Sequence, residues 1–360
     1  MAKQTPLYGA HEAAGAKFVD FAGWTMPLHY GSQLDEHRAV REHCGIFDVS
    51  HMGSVDIEGA QAEAFLRRLL ANDVAKLSDG KALYSCLLNQ AGGVLDDLIV
   101  YLRRTGEYRL VVNAATREAD VDWFNEQLGD EAVTIKPRPD LAMLALQGPA
   151  AADLLASALP LELAAAARRL SPFCSIERDG YFIGRTGYTG EDGFELIMAS
   201  ESAQACWSAW IAAGVAPCGL GARDSLRLEA GLNLYGQDMD TDTTPLESGL
   251  GWTVSWGPEE RDFIGREALL TQRESGVKRR LVGLVLEARG VMRAGQPVYL
   301  DGGQGTVTSG GFSPILGCSI ALARIPAGAV TQACEIELRG RRLPARIVKP
   351  PFVRYGKAKV

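Results

Sequence analysis

The sequence contains no apolar run of 18 residues, about the length a helix needs to cross a bilayer. It contains no Cys-x-x-Cys either: the seven cysteines, at 44, 86, 174, 206, 218, 318 and 334, are never closer than twelve residues apart. The zinc-ribbon and thioredoxin patterns are thereby excluded. An odd number of thiols, with no apolar signal core in MAKQTPLYGAHEAAGAKF, is expected of free cysteines in a cytoplasmic protein. There is no excess of positive charge: 37 Lys+Arg against 44 Asp+Glu leave a net −7, so neither a nucleic-acid nor a membrane partner is expected. The scattered pairs Arg67-Arg68, Arg103-Arg104 and Arg168-Arg169 read as solvated faces. Histidine is scarce, five residues all within the first 51, and none shows H-E-x-x-H spacing, so no metal is expected. Surface polarity is expected for His37 and His43, and hydrogen-bonded structural roles for His11, His29 and His51. There is no Walker A loop and no G-x-S-x-G elbow. Gly219-Leu220-Gly221 begins like a dinucleotide fingerprint, but Asp224 stands where the third glycine belongs, so no nicotinamide cofactor is expected.

What is present is an ordinary globular composition, 47% hydrophobic and 22% charged, over 360 residues. That length implies two to three domains. Glycine occupies 40 positions, above the usual share of about 7%. The surplus implies turns, or backbone brought close to a ligand. Apolar spacing predicts helices over Gln33–Cys44, Gly59–Leu70, Ala115–Leu128, Ser202–Ala213 and Ala222–Ala230, and an Ala-rich helical stretch after Gly148-Pro149 to Leu170. Strands are expected over Ala82–Leu88, Val94–Leu102, Tyr108–Asn113, Leu141–Gln147, Cys174–Arg178, Tyr181–Thr186 and Phe194–Met198. Asn89-Gln90-Ala91-Gly92-Gly93 is a five-residue hairpin turn between the first two. Past Arg280 the pattern becomes short strands punctuated by Gly and Pro, the mark of a small barrel or sandwich, and a boundary is placed near residue 275. The mixture points to α+β packing.

Three stretches carry chemistry. In Gly92-Gly93-Val94-Leu95-Asp96-Asp97-Leu98-Ile99-Val100-Tyr101, period-two alternation puts the aspartates on opposite faces: Asp97 with Leu95, Ile99 and Tyr101, Asp96 with Val94, Leu98 and Val100. At least one carboxylate then meets apolar surroundings, where an unpaired charge is costly. Two readings stay open: a general base or acceptor for a ligand amine, or a strand-entry turn in which the aspartates cap backbone groups. In Arg185–Leu196 a Gly-rich loop leads into a strand carrying Glu195, whose carboxylate suits a planar amidine-like edge such as a pterin or guanine presents. The alternative is a hairpin with a surface glutamate. In Gly219–Gly231, Arg223 opens a helix where a cation opposes the macrodipole, so an acidic ligand or neighbour such as Asp224 is expected beside it.

Together these residues resemble the T-protein, or aminomethyltransferase, of the glycine cleavage system. The resemblance runs through Thr5-Pro6-Leu7-Tyr8, Phe47-Asp48-Val49-Ser50-His51-Met52-Gly53, Gly92–Tyr101, Gln147-Gly148-Pro149, Thr186–Leu196, Gly219–Ala230, Gly236-Gln237-Asp238-Met239-Asp240, Thr308-Ser309-Gly310 and Pro351-Phe352-Val353-Arg354. It implies a three-domain α+β cloverleaf of the folate-binding type. A discontinuous first domain (1–52 and 139–245) would hold an inserted α+β domain (53–138), followed by a connecting segment (246–275) and a C-terminal β-barrel (276–360). It implies transfer of a methylene group from the aminomethyl-lipoyl arm of H-protein to tetrahydrofolate, with ammonia released and no flavin. Carried over residue by residue, it makes Asp97 catalytic and Glu195 the pterin-edge carboxylate. Arg223, Tyr188, Tyr84, Tyr101, Asn113, Met52 and Arg354 become folate-pocket residues. The rivals are a folate-dependent demethylase, and a non-catalytic folate-binding relative with a K-G-C-Y-x-G-Q-E motif; Asn233–Asp238 lacks that cysteine.

Overall fold

A computed structural model describes residues 2–301, 303–329 and 333–360. They fall into two compact units. The first runs to Leu66 and includes Val74–Tyr84 and Leu98–Asp224; the second comprises Arg67–Asp73, Ser85–Asp97 and Ser225–Val360.

In the first unit a six-stranded sheet runs in the order Ser175–Arg178, Tyr181–Gly184, Gly193–Ala199, Leu141–Gln147, Gly45–Asp48, Ala216–Pro217. All its pairs are antiparallel except the last. One face is covered by the helix Ser200–Ala212, whose buried Ala203, Cys206, Trp207 and Trp210 follow the i, i+3, i+4, i+7 rule. The core joins Leu7, Ile46, Leu144, Leu146, Phe194 and Leu196 to both tryptophans, and Trp210 Nε1 finds the Leu154 carbonyl at 2.8 Å. A five-stranded sheet follows the order Ala82–Leu88, Val94–Arg104, Glu107–Val112, Gly53–Glu58, Thr134–Pro137. Its buried Asp56 faces Arg109 across the ladder and accepts from its Nε and Nη2, at 2.7 and 2.9 Å, with Arg138 adding a third bond at 2.8 Å.

In the second unit the strands Arg279–Leu286, Cys318–Pro326, Gly303–Ser313, Pro297–Leu300, Ala333–Leu338 and Arg341–Val348 close into a barrel in that order. Its interior is filled by small and branched residues such as Leu284, Val298, Ala321, Ala323 and Ile336. The register slips between Val307 and Ser309, the mark of a bulge at Thr308. Thr308 and Ser309 both donate to the buried Asp238, which also pairs with Arg227 Nη1 at 2.9 Å. The Gly236–Asp240 and Thr308–Gly310 motifs thus meet in one buried network that ties the helix Leu220–Glu229 to the barrel. Arg261 does a similar job with carbonyls: its guanidinium donates to Arg67, Leu70, Ala71, Asn72 and Ser255, four of them where the helix Ala62–Leu69 ends.

The predicted elements are present, with shifted ends. The Ala-rich stretch is split into Ala151–Leu154 and Leu161–Arg168, with a short 3-10 turn between them, because Pro160 cannot continue a helix and instead caps the second piece. The strand Pro297–Leu300 has no counterpart among the sequence expectations. The helix Gly59–Leu70 begins at Ala62, since Gly59, at φ 143°, is not helical.

The histidines divide. His11 Nε2 lies 2.9 Å from Asp48 and its Nδ1 2.8 Å from the Tyr30 hydroxyl, with Trp207 edge-on at 4.8 Å. His29 accepts the Gly31 amide at 3.2 Å. His37 is fully buried, against the expectation of surface polarity, because its face of the helix Gln33–Glu42 turns inward with Val40 and Arg41. His51 is buried with no hydrogen-bond partner for Nδ1 among the described residues, so the hydrogen-bonded role expected of it is not realised at that atom.

Burial opposes the charge of Asp48, yet the His11 imidazole at 2.9 Å and the Ser50 amide at 2.9 Å outweigh it and hold the carboxyl below its usual range. A carboxyl held low stabilises the fold above its unfolded pKa, near pH 4, and loses that contribution as pH falls through the folded value. Asp48→Asn is expected to lower stability by about 2–4 kcal/mol at pH 7. In urea titrations the gap from wild type should be level from about pH 5 to 8 and close at lower pH; a gap independent of acid would contradict the assignment.

Candidate functional site

In the first unit the sheet register sets Glu195 in the strand Gly193–Ala199, opposite Ala145 on one side and Gly184 on the other. Cross-strand neighbours share a face, so the two small residues leave space around the carboxylate. Tyr101 fills part of that space: a Cβ at Gly184 would lie 2.7 Å from its hydroxyl. The Tyr101 hydroxyl is 2.8 Å from Thr186 Oγ1, and Thr186 Oγ1 donates to Glu195 Oε2 at 2.6 Å. Glu195 is 6% exposed. Burial pushes its pKa up, while the Thr186 bond and the charge of Arg223 pull the other way. The surface-glutamate alternative is therefore excluded.

The loop before Glu195 is held on every side. Arg185 and Asp192 close its base with two bonds. Gln147 donates to the Thr186 carbonyl at 3.1 Å and accepts the Thr189 hydroxyl at 2.8 Å. The buried Arg41 reaches the Thr189 carbonyl and Glu191, both at 2.7 Å. The glycines here make room for protein: a Cβ on Gly187 or Gly193 would come within 2.0 or 2.4 Å of the Gln147 amide, and one on Gly219 within 2.4 Å of the Leu28 carbonyl. At these three positions the close approach is to the protein's own chain.

Tyr188, from that loop, lies under the Arg223 guanidinium, 4.7 Å from ring centroid to charge. Arg223 stands in the first turn of the helix Leu220–Glu229, and its Nη2 is 3.7 Å from Met52 Sδ. Desolvation lowers its pKa, and Glu195 and Tyr188 oppose that effect. The same cation, after burial itself, presses the His51 imidazole down to about 3, so His51 is neutral at physiological pH. Met52, Tyr188, Glu195, Arg223 and Tyr101 are thus brought together in one unit, Tyr101 with its hydroxyl turned inward to Thr186. Tyr84 and Asn113 are half-buried on the five-stranded sheet and beside it, and the Asn113 carbonyl accepts the Thr116 hydroxyl at 3.3 Å.

Asp97 belongs to the second unit. Along the strand Val94–Arg104, Val94, Asp96, Leu98 and Val100 are buried while Leu95, Asp97 and Ile99 are half-buried, as the alternation requires. Asp96 is the carboxylate in the apolar interior, at 0% exposure. Burial pushes the Cys86 thiol up, and the nearby Asp97 and Asp96 charges add to it. The turn that aims Asp97 is capped by Asn89, whose Oδ1 accepts from Ala91 and Gly93, both at 2.9 Å. Asn89 Nδ2 reaches the Thr241 carbonyl at 3.1 Å, and the Val94 amide is shared by the Asp240 and Thr243 carbonyls. A Cβ on Gly93 would sit 1.8 Å from the Thr241 oxygen, so only glycine fits. Sequence reasoning passed over Asn89; its place at the head of an Asn-x-x-Gly-Gly turn was the available signal. Arg354 is exposed in the ribbon Val353–Arg354, its guanidinium over the Tyr355 ring at 5.2 Å.

Comparison with known proteins places the chain in a family. The GCVT N-terminal domain model matches residues 7–257, and the model of the glycine cleavage T-protein C-terminal barrel domain matches 279–354. An aminomethyltransferase from Nitrosococcus oceani is 54% identical over 359 residues, covering 99% of this chain and 96% of the relative. One from Alcanivorax borkumensis is 55% identical with 99% of each covered. The crystal structure of glycine cleavage system aminomethyltransferase T from Bartonella henselae superposes with a TM-score of 0.93, at 38% identity and full coverage of both chains. With both halves matched by their models and close relatives aligned almost end to end, the chain belongs to the glycine cleavage T-protein family of aminomethyltransferases.

Proposed function

We propose that the chain takes the methylene group from an aminomethyl-lipoyl arm carried by H-protein and passes it to tetrahydrofolate, working in the cytoplasm. The observation that carries this reading is Glu195: a buried carboxylate in mid-strand, held at one oxygen by a single hydroxyl. A carboxylate so placed matches the paired N–H donors along the edge of a pterin. Arg223 and Tyr188 supply a flat cationic and aromatic surface beside it, and Met52 a polarisable contact that follows a ring's shape. Tyr84, Asn113 and Arg354 are assigned to the rest of the same ligand. Bacterial relatives and seven free cysteines support the cytoplasmic setting. Among the described residues no helix is long and apolar enough to cross a membrane.

Asp97 is assigned the chemistry. Its carboxylate orients and activates the folate nitrogen for attack on the aminomethyl carbon, and stabilises the positive charge that grows as the transfer proceeds. One carbon–sulfur and one carbon–nitrogen bond break and two carbon–nitrogen bonds to folate form. The nitrogen leaves as ammonia and the arm keeps two thiols, so no oxidant is needed. The three-domain division is proposed with it, since the five-stranded sheet is drawn entirely from residues 53–137.

Reconstitution tests the reading directly. Mixed with aminomethyl-loaded H-protein, the chain is expected to release ammonia only when tetrahydrofolate is present; release that ignores folate, or none at all, would favour the demethylase or non-catalytic alternatives. Asp97→Asn is expected to cut turnover about 100-fold or more while folate affinity stays within about tenfold. Wild-type turnover in that variant would remove Asp97 from the reaction. Glu195→Gln, which keeps the shape but offers an N–H where an acceptor is needed, should weaken tetrahydrofolate binding about 10- to 100-fold by calorimetry.

A further inference from the structure

We propose that Thr186 and Tyr101 are positioning residues that keep Glu195 ionised and fix which of its oxygens faces the ligand, so that folate affinity near neutral pH depends on two hydroxyls that act through Glu195. The inference rests on the assignment of Glu195 to the ligand edge and adds the device that sustains it.

The argument is one of proton counting. Thr186 has a single hydroxyl proton, and it is donated to Glu195 Oε2. The 2.8 Å contact between Thr186 and Tyr101 must then run from the phenol to Thr186 Oγ1. Tyr101 is 1% exposed, its ring wedged over Gly184 and edge-on to Phe182 at 5.0 Å. The chain of donors therefore points one way, from phenol to hydroxyl to carboxylate. Were Glu195 to carry its proton on Oε2, Thr186 Oγ1 would have to accept it, and either the Thr186 or the Tyr101 hydroxyl proton would lose its acceptor in the relay. Reversal thus leaves a buried O–H unsatisfied. The direction of the relay opposes the burial that pushes Glu195 towards its neutral form.

The other groups facing Glu195 do not replace this device. The flanking strands contribute Ala145 and Gly184, which carry no polar side chain. Arg223, on the helix Leu220–Glu229, favours the ionised form through its charge, but its side chain lies against the Met52 sulfur and the Tyr188 ring. Burial keeps the Tyr101 phenol protonated, and Glu195 adds to that effect, so it acts as a donor throughout the usable range. With Oε2 engaged by Thr186, rotation of the carboxylate is restrained and Oε1 is the oxygen the relay leaves for the ligand.

The test is tetrahydrofolate binding to the full-length protein as a function of pH, with steady-state kinetics on aminomethyl-loaded H-protein. Thr186→Val removes the donor and keeps the shape. At pH 6 it should bind roughly tenfold or more weaker than wild type. It should recover towards wild type by pH 8–9, as higher pH restores the carboxylate. Its loss should appear in KM for folate with kcat at saturation little changed. Tyr101→Phe should move the pH–affinity curve in the same direction by less, and Thr186→Ser should restore it. A merely structural role would weaken binding equally at every pH and would lower thermal stability in step, and that result would overturn the proposal. So would a Thr186→Val curve identical to wild type while Glu195→Gln binds weakly. If Glu195→Gln itself binds normally, the fault lies instead in assigning Glu195 to the ligand. Should Thr186→Val fail to fold, the Tyr101→Phe and Thr186→Ser curves decide the matter alone.

Discussion

A carboxylate buried in the middle of a sheet is the constraint around which the first unit is arranged. Removing Glu195 from water costs several kcal/mol unless its charge is met by donors. The fold meets it with a hydroxyl, a nearby guanidinium and space. The space comes from Ala145 and Gly184 on the neighbouring strands, the hydroxyl from a loop clamped by Arg41, Gln147 and the Arg185–Asp192 fork. None of these groups is catalytic, yet each restricts where the carboxylate sits. A binding carboxylate placed on a strand and steadied by a second layer of bonds is more exactingly oriented than one on a free loop.

The second unit solves the matching problem for Asp97 with backbone. The aspartate stands four residues beyond a turn that Asn89 caps and that the 240–243 carbonyls hold. Gly93 is the point of closest approach. The arginines Arg227 and Arg261 are spent on architecture: the first joins Asp238 and Ser309, the second gathers five carbonyls. Charge in this protein is thus used twice, openly at the site and inwardly as mortar, which is why the scattered basic residues gave no sign of which was which.

Much of the fold was legible because its strands are short apolar runs bounded by turn residues. Ala82–Leu88 and Leu141–Gln147 have the ends their composition predicts, and burial follows the period of two from Val94 to Val100. What was not legible depended on partners distant in sequence. Pro297–Leu300 is a four-residue strand whose identity comes from its neighbours in the barrel, not from its own pattern. The burial of His37 depends on how its helix is packed. The Tyr101–Thr186–Glu195 chain joins positions 85 residues apart, and no local spacing announces it. The glycines near the site were conspicuous in the sequence, but at Gly187, Gly193 and Gly219 their reason is the crowding of the protein's own chain.

The carbonyls at the end of the helix Ala62–Leu69 have a consequence for how the chain comes into being. Their donor, Arg261, lies about 190 residues further on. At a synthesis rate of about 5–20 residues per second, those acceptors emerge roughly 10–40 s before the side chain that satisfies them. Throughout that interval the Arg67, Leu70, Ala71 and Asn72 carbonyls lack that guanidinium, so this part of the second unit is completed only after residue 261 has been made. The interruption that gives the mature protein its fold also makes the order of its assembly obligatory.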